Sequence, residues 1–311
     1  MKRPSDSSAR NSEAKISPFD FLEKIRAKHG APANGVGAKA AASVSSADTF
    51  NFETLAAQFH ENLQAPSAFL IAMEARAPWE LGAMLAAWPF LKTMPQGDGH
   101  SVIVFPGLGA GDLTTAPLRS FLKAQGYETH GWDLGLNFGP RDGVLKKSVE
   151  RVMDIHATTK RKVSLIGWSL GGLYAREFAK ALPKHVRSVI TLGTPFAGDP
   201  KATNAWRFYE MVSGHKLQDK NMLAHLKAAP PMPTTSIFSR TDGVVSWPLS
   251  LQKESKTAEN IEVIASHVGM GMNPIALYAV ADRLSQVEGK WQPFDRTGWR
   301  HYFYRDPHRA E

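Results

Sequence analysis

The chain has 311 residues, 43% hydrophobic and 21% charged, which excludes a fibrous or wholly disordered class and leaves room for a sizeable core. It has no cysteine, so disulfide staples, a thiol nucleophile and thiolate metal sites are ruled out, and a cytoplasmic location is the expectation. The net charge of +8 comes from scattered basic residues with no long basic run, which reads as a solubility feature and argues against a nucleic-acid partner.

Residues 1–48 are rich in Ser, Ala, Gly, Lys and Asn, with few large apolar side chains, and read as mostly disordered. Their basic start has no apolar stretch fit for a signal-peptide core, and no window approaches the roughly eighteen apolar residues of a membrane span. One island interrupts the disorder. Ser17-Pro18 predicts a helix start, and Gly30 a stop after His29. Phe19, Leu22 and Ile25 would share one face of that helix and dock it on the domain.

Residues 49–99 predict N-terminal helices that pack on the core, two of them between 51 and 92. The second covers about 68–91 and is restarted at Pro78. Its stripe of Phe69, Met73, Trp79, Leu81, Met84, Leu85, Trp88, Phe90 and Leu91 predicts core packing.

From residue 100 to 289 strand and helix alternate, the pattern of a parallel sheet covered on both faces. The run SVIVF at 101–105 is a buried strand, followed by the Gly-rich loop 106–111. As a dinucleotide fingerprint this loop fails, because its third glycine comes one residue early. A helix at 118–125, a strand at 128–133 and an amphipathic helix at 144–158 follow, with the loop 131–140 before the last of these.

A second apolar run then ends at Gly167, and 170–182 reads as a helix. Between them, Gly167-Trp168-Ser169-Leu170-Gly171 makes a turn too sharp for ordinary side chains on both flanks. It lifts the Ser169 hydroxyl above the sheet edge and leaves the Leu170 N–H at a helix start without an intrahelical partner. This is the Gly-x-Ser-x-Gly elbow in its strand–turn–helix setting.

The strand 186–192 runs into Gly193-Thr194-Pro195-Phe196. Residues 201–230, with Trp206, Phe208, Tyr209, Met211, Leu217, Met222, Leu223 and Leu226, break the strand–helix rhythm and predict a small helical lid. A strand at 235–239 leads to Asp242 on an Asp-Gly turn, which alone would be an ordinary turn residue. A strand at 261–265 leads to His267. The order Ser169, Asp242, His267, each at a strand end, matches nucleophile, acid and histidine. Asp199 is the alternative acid. A closing helix at 274–284 and an aromatic, basic tail at 290–311 that packs across the domain surface complete the chain.

Over about residues 100–285 these features resemble the α/β-hydrolase superfamily, in particular bacterial esterases and lipases. The elbow, the Gly131-Trp132…Asn137-Phe138-Gly139-Pro140 loop and the Leu192-Gly193-Thr194-Pro195-Phe196 segment carry the resemblance. It implies an α/β fold with a mostly parallel central sheet, helices on both faces and a small lid. It also implies that the Leu108 N–H, after Pro106-Gly107, joins that of Leu170 as an oxyanion donor.

The chemistry follows from the residue types. A serine hydroxyl is a weak nucleophile at neutral pH, and a histidine with an ordinary pKa near 6.5 can take its proton and return it to a leaving group. A carboxylate fixes the imidazole tautomer. The expected reaction is acyl transfer to water through an acyl-serine, with no metal or organic cofactor. Phe105, Trp168, Phe196, Trp206 and Phe208 would surround the substrate and favour a small-molecule or lipid-like ester with an aliphatic acyl group. Peripheral membrane contact is compatible with this. A thioesterase, an acyltransferase or a polyester depolymerase shares the chemistry, while a non-catalytic binding protein would not need Ser169, Asp242 and His267 intact together.

Overall fold

Runs of aliphatic and β-branched residues with no polar alternation suit strands covered on both faces. Such runs supply only part of the sheet: six strands pair, all in parallel, in a computed structural model that describes residues 17–30, 63–141, 143–213 and 220–309. They are β1 (Ser101–Phe105), β2 (Glu128–His130), β3 (Val163–Trp168), β4 (Val186–Leu192), β5 (Thr234–Phe238) and β6 (Ala258–Glu262). Their order across the sheet is β2-β1-β3-β4-β5-β6. The chain steps outward from β1 to β2, then crosses back to β3 and continues the other way. The carboxyl ends of β1 and β3 therefore flank a topological switch point, where open α/β sheets form their clefts.

The helices are α1 (Pro18–His29), α2 (Ala68–Met73), α3 (Ala77–Leu91), α4 (Asp112–Ala124), α5 (Val144–Thr159), α6 (Leu170–Ala181), α7 (Trp206–Ser213), α8 (Lys220–Lys227) and α9 (Pro274–Leu284). One core layer joins Met84 and Leu91 of α3, Phe121 of α4 and Leu277 of α9 to the sheet. The opposite layer joins Val149 of α5 and Phe178 of α6 to Ile103 and Leu165, with Phe21, Leu22 and Ile25 of α1 packed against it. Helix α1 is thus bound to the outside of α6, and the Ser17 hydroxyl caps it by accepting from the Asp20 N–H at 3.1 Å. The Phe19 side chain, the rest of 1–48 and the helix expected from residue 51 lie outside the described residues, as do Leu217 and the Met222 side chain.

Three expectations are corrected. Strand β2 stops at His130 and not at 133, because the Trp132 and Asp133 N–H groups donate to the Asp112 carboxylate and Asp133 turns to φ +57°. Strand β6 begins at Ala258 and not at 261. Its polar residues hid it: Glu259 accepts from Thr235, Arg283 and the Phe294 N–H, and Asn260 bonds the Gln252 backbone, so both are buried and satisfied.

The third correction concerns α2 and α3. Only a narrow stripe (Ala77, Glu80, Met84, Leu91) is buried, and Phe69, Trp79, Leu85 and Phe90 are 71%, 80%, 64% and 61% exposed. A helix that is apolar all round can turn only one face to the sheet. Glu80, the one charged residue of α3, points inward. Among the described residues no helix is long and apolar enough to cross a membrane.

Candidate active site

Ser169 sits between β3 and α6 at φ +52°, a left-handed backbone that a non-glycine residue adopts only under constraint. The constraint is steric. A Cβ on Gly167 would strike the Gly171 carbonyl and the Gly172 backbone, and one on Gly171 would strike the carbonyls of Phe105 and Pro106. The Ser169 N–H donates to the Leu192 carbonyl at 2.8 Å, tying the turn to β4.

The loop after β1 lies beside the serine, with Gly107 so close that its missing Cβ would stand 3.3 Å from Ser169 Cβ. The 131–140 loop braces it. Gly109 N–H donates to the Asn137 carbonyl at 2.7 Å, Asn137 N–H to the Ala110 carbonyl at 2.8 Å, and Asn137 Nδ2 to the Pro106 carbonyl at 2.7 Å. Among the described residues the N–H groups of Leu108 and Leu170 have no protein acceptor, and both residues line the cavity that Ser169 borders.

His267 and Asp242 meet. His267 Nδ1 lies 2.7 Å from Asp242 Oδ2, with both side chains buried. A carboxylate only accepts, so Nδ1 carries the proton and Nε2 keeps its lone pair. The other oxygen, Oδ1, accepts from the Val244 and Val245 N–H groups at 2.8 and 2.7 Å. Gly193, at φ +54°, leaves room for the pair, since a Cβ there would lie 3.0 Å from both Asp242 Oδ2 and His267 Nδ1. Burial opposes the imidazolium, but the charge and hydrogen bond of Asp242, with the charge of Glu74, outweigh it and hold the His267 pKa above its ordinary value.

Glu74 is a residue that no motif pointed to. Its Oε1 accepts from the Gly243 N–H at 2.7 Å and the His267 N–H at 2.9 Å, and its Oε2 from the Val268 N–H at 2.9 Å. Glu80 accepts from the N–H of Ser266 at 2.8 Å and also from its hydroxyl. Arg76 donates to the Thr241 carbonyl and hydroxyl at 2.9 and 2.7 Å. Three charged residues around α2 and α3 therefore hold the two loops that carry Asp242 and His267.

The remaining expected residues separate. Asp199 caps a short 3₁₀ turn by accepting from the Lys201 N–H at 2.9 Å, while His267 is engaged by Asp242. Phe196 and Trp206 line a cavity of about 60 Å³ beside Ser169. Trp168 lies beneath the histidine loop, donating its indole N–H to the His267 carbonyl at 3.0 Å, and Phe105 is buried against Phe178. Phe208 is 42% exposed, above Gly109, and Tyr209 takes the inward position, three residues on from Trp206 as helix geometry requires. The end of α8 is fastened to α6 by the buried Arg176, which donates to the carbonyls of Lys227 and Ala228 at 3.2 and 3.1 Å and stacks on Phe196 at 3.8 Å.

An α/β-hydrolase-fold family model matches residues 81–263, and the chain belongs to that family. It is 33% identical over 101 residues to a pimeloyl-[acyl-carrier protein] methyl ester esterase of Shewanella woodyi, a match covering 32% of this chain and 37% of that protein. It is 30% identical over 107 residues to the serine hydrolase BPHL of Mus musculus, covering 31% and 37%. The chain thus spans well under half the length of the curated relatives it matches. Among solved structures it is similar to Aspergillus fumigatus lipase B, at 19% identity and a TM-score of 0.48, over 62% of this chain and 53% of that one.

Proposed function

We propose that the protein is a serine esterase that cleaves carboxylic esters with aliphatic acyl groups through an acyl-serine intermediate. The observation that carries this is the strained Ser169 above the switch point, in a cavity it shares with two N–H groups without protein acceptors, next to Trp168, whose indole N–H bonds the carbonyl of His267 in the buried His267–Asp242 pair. In this reading His267 Nε2 takes the Ser169 proton as Oγ attacks the ester carbonyl, and the Leu108 and Leu170 N–H groups receive the oxyanion. His267 then returns the proton to the departing alkoxide, and a water deprotonated by the same nitrogen releases the acid. Asp242 stabilises the imidazolium without accepting its proton. The apolar walls supplied by Phe196, Trp206 and Tyr209 support an aliphatic acyl group over a charged one.

A fluorophosphonate probe tests the nucleophile. It should label the native protein and leave Ser169→Ala unlabelled, and labelling that survives the substitution would refute the assignment. A p-nitrophenyl ester series from acetate to palmitate tests the substrate class.

A further inference from the structure

A second hollow, of about 100 Å³, lies next to the cavity beside Ser169. It is half-open to solvent, and since one water needs roughly 10–15 Å³ of such space, it has room for several ligand atoms. Leu170, Leu173, Tyr209 and Leu226 border both spaces. Beyond them the hollow continues to Pro18 and Leu22 of α1, a helix outside the region matched by the family model.

The polar side chains around the hollow are already engaged. Tyr174 donates its hydroxyl to Asn137 at 3.3 Å, and the Tyr209 hydroxyl bonds Ser213. Glu177 is paired with Lys180 at 2.7 Å and with His225 at 2.9 Å. A polar or charged ligand would find no unsatisfied side-chain partner there among the described residues, whereas an apolar chain loses nothing by entering.

Resting on the esterase reading, we propose that this hollow receives the distal part of an unbranched, uncharged acyl chain, and that α1 sets the chain length the enzyme accepts. The chain passes Leu173 and Leu226 from the serine side and ends against Leu22 and the Glu177–Lys180–His225 cluster. Leu226 of α8, held in place by the bonds of Arg176 to the end of that helix, stands between the two spaces.

The test uses the full-length protein. Leu22→Trp fills the hollow from α1 without reaching the cavity beside Ser169. Its kcat/KM for p-nitrophenyl dodecanoate should fall at least tenfold, with acetate hydrolysis within twofold of native and an unchanged melting temperature. Leu22→Ala, which enlarges the hollow, should move the chain-length optimum upward and serves if the tryptophan variant does not fold. Equal losses on both esters, an unmoved chain-length profile, or a preference of the native enzyme for the ω-carboxylate analogue of the dodecanoate would overturn the proposal. A short-chain fluorophosphonate separates the two levels of inference. Labelling with an unmoved profile removes only the role of α1, whereas a native protein that is not labelled removes the esterase reading and this proposal with it.

Discussion

The two sides of the site are built by different forces. Ser169 is held by collision: backbone atoms of Phe105, Pro106, Gly171 and Gly172 crowd the turn, so only one path through it is open. Asp242 and His267 stand on loops held by charge-assisted hydrogen bonds to Glu74 and Glu80, carboxylates lying 169 to 193 residues earlier in the chain. Steric constraint needs no charge. A carboxylate clamp draws on it, each bond to a charged acceptor being worth about 1.5–3 kcal/mol. The Ser169 side is therefore fixed by shape, and the His267 side by charge.

Six substitutions probe that difference and the pocket between the two sides. The largest effect is expected for Asp242→Asn, which should cut kcat on the order of 10⁴-fold by disturbing the imidazole tautomer, as measured in steady-state ester hydrolysis. Asp199→Asn should leave kcat within about twofold, because its carboxylate serves only a local turn. The reverse ranking would move the acid to Asp199.

Gly171→Ala attacks the steric side. The new methyl meets two carbonyl oxygens of the backbone, which cannot swing away, so destabilisation at the top of the ~1–3 kcal/mol range of overpacking is expected in denaturant unfolding. A neutral result would mean that the elbow is not sterically held.

Glu74→Gln attacks the electrostatic side, leaving shape intact while removing the charge. In the proposed mechanism His267 must be neutral to act, so a pKa raised by Asp242 and Glu74 would place the acid limb of the rate profile above the ordinary pH of about 6.5. Removing one of the two charges should move that limb to lower pH, with kcat/KM near its optimum reduced by about tenfold, equivalent to ~1.4 kcal/mol. Arg76 and Glu80 remain in place, and Glu80→Gln, which touches Ser266 and not His267, should shift the limb less. An acid limb that stays put in Glu74→Gln would reduce Glu74 to a structural strut.

An effect confined to longer acyl chains is expected for Trp206→Ala. It removes one wall of the cavity beside Ser169, so kcat/KM should drop about tenfold for octanoate and little for acetate, without loss of melting temperature. Equal losses would place Trp206 in the core of the lid and not in the pocket.

Much of this was legible in the residues because the deciding interactions are local. The elbow needs glycines within a few positions of Ser169, parallel strands need unbroken apolar runs such as SVIVF, and a Ser-Pro start with a Gly stop bounds α1. What escaped depends on neighbours distant in the chain. β6 starts with polar residues whose partners lie on β5, α9 and the tail, so its burial has no local sign. Whether Trp168 or Tyr209 faces the pocket turns on one helical step and one loop. The apolar stripe of α2 and α3 looked like core, yet α2 buries no residue, and the face that α3 buries carries Glu80 to the histidine loop, with the half-buried Glu74 in the turn between the two helices. Local sterics are written in adjacent residues and can be read one stretch at a time. A buried carboxylate is tolerable only where several N–H groups converge on it, and that convergence exists only once the chain has folded.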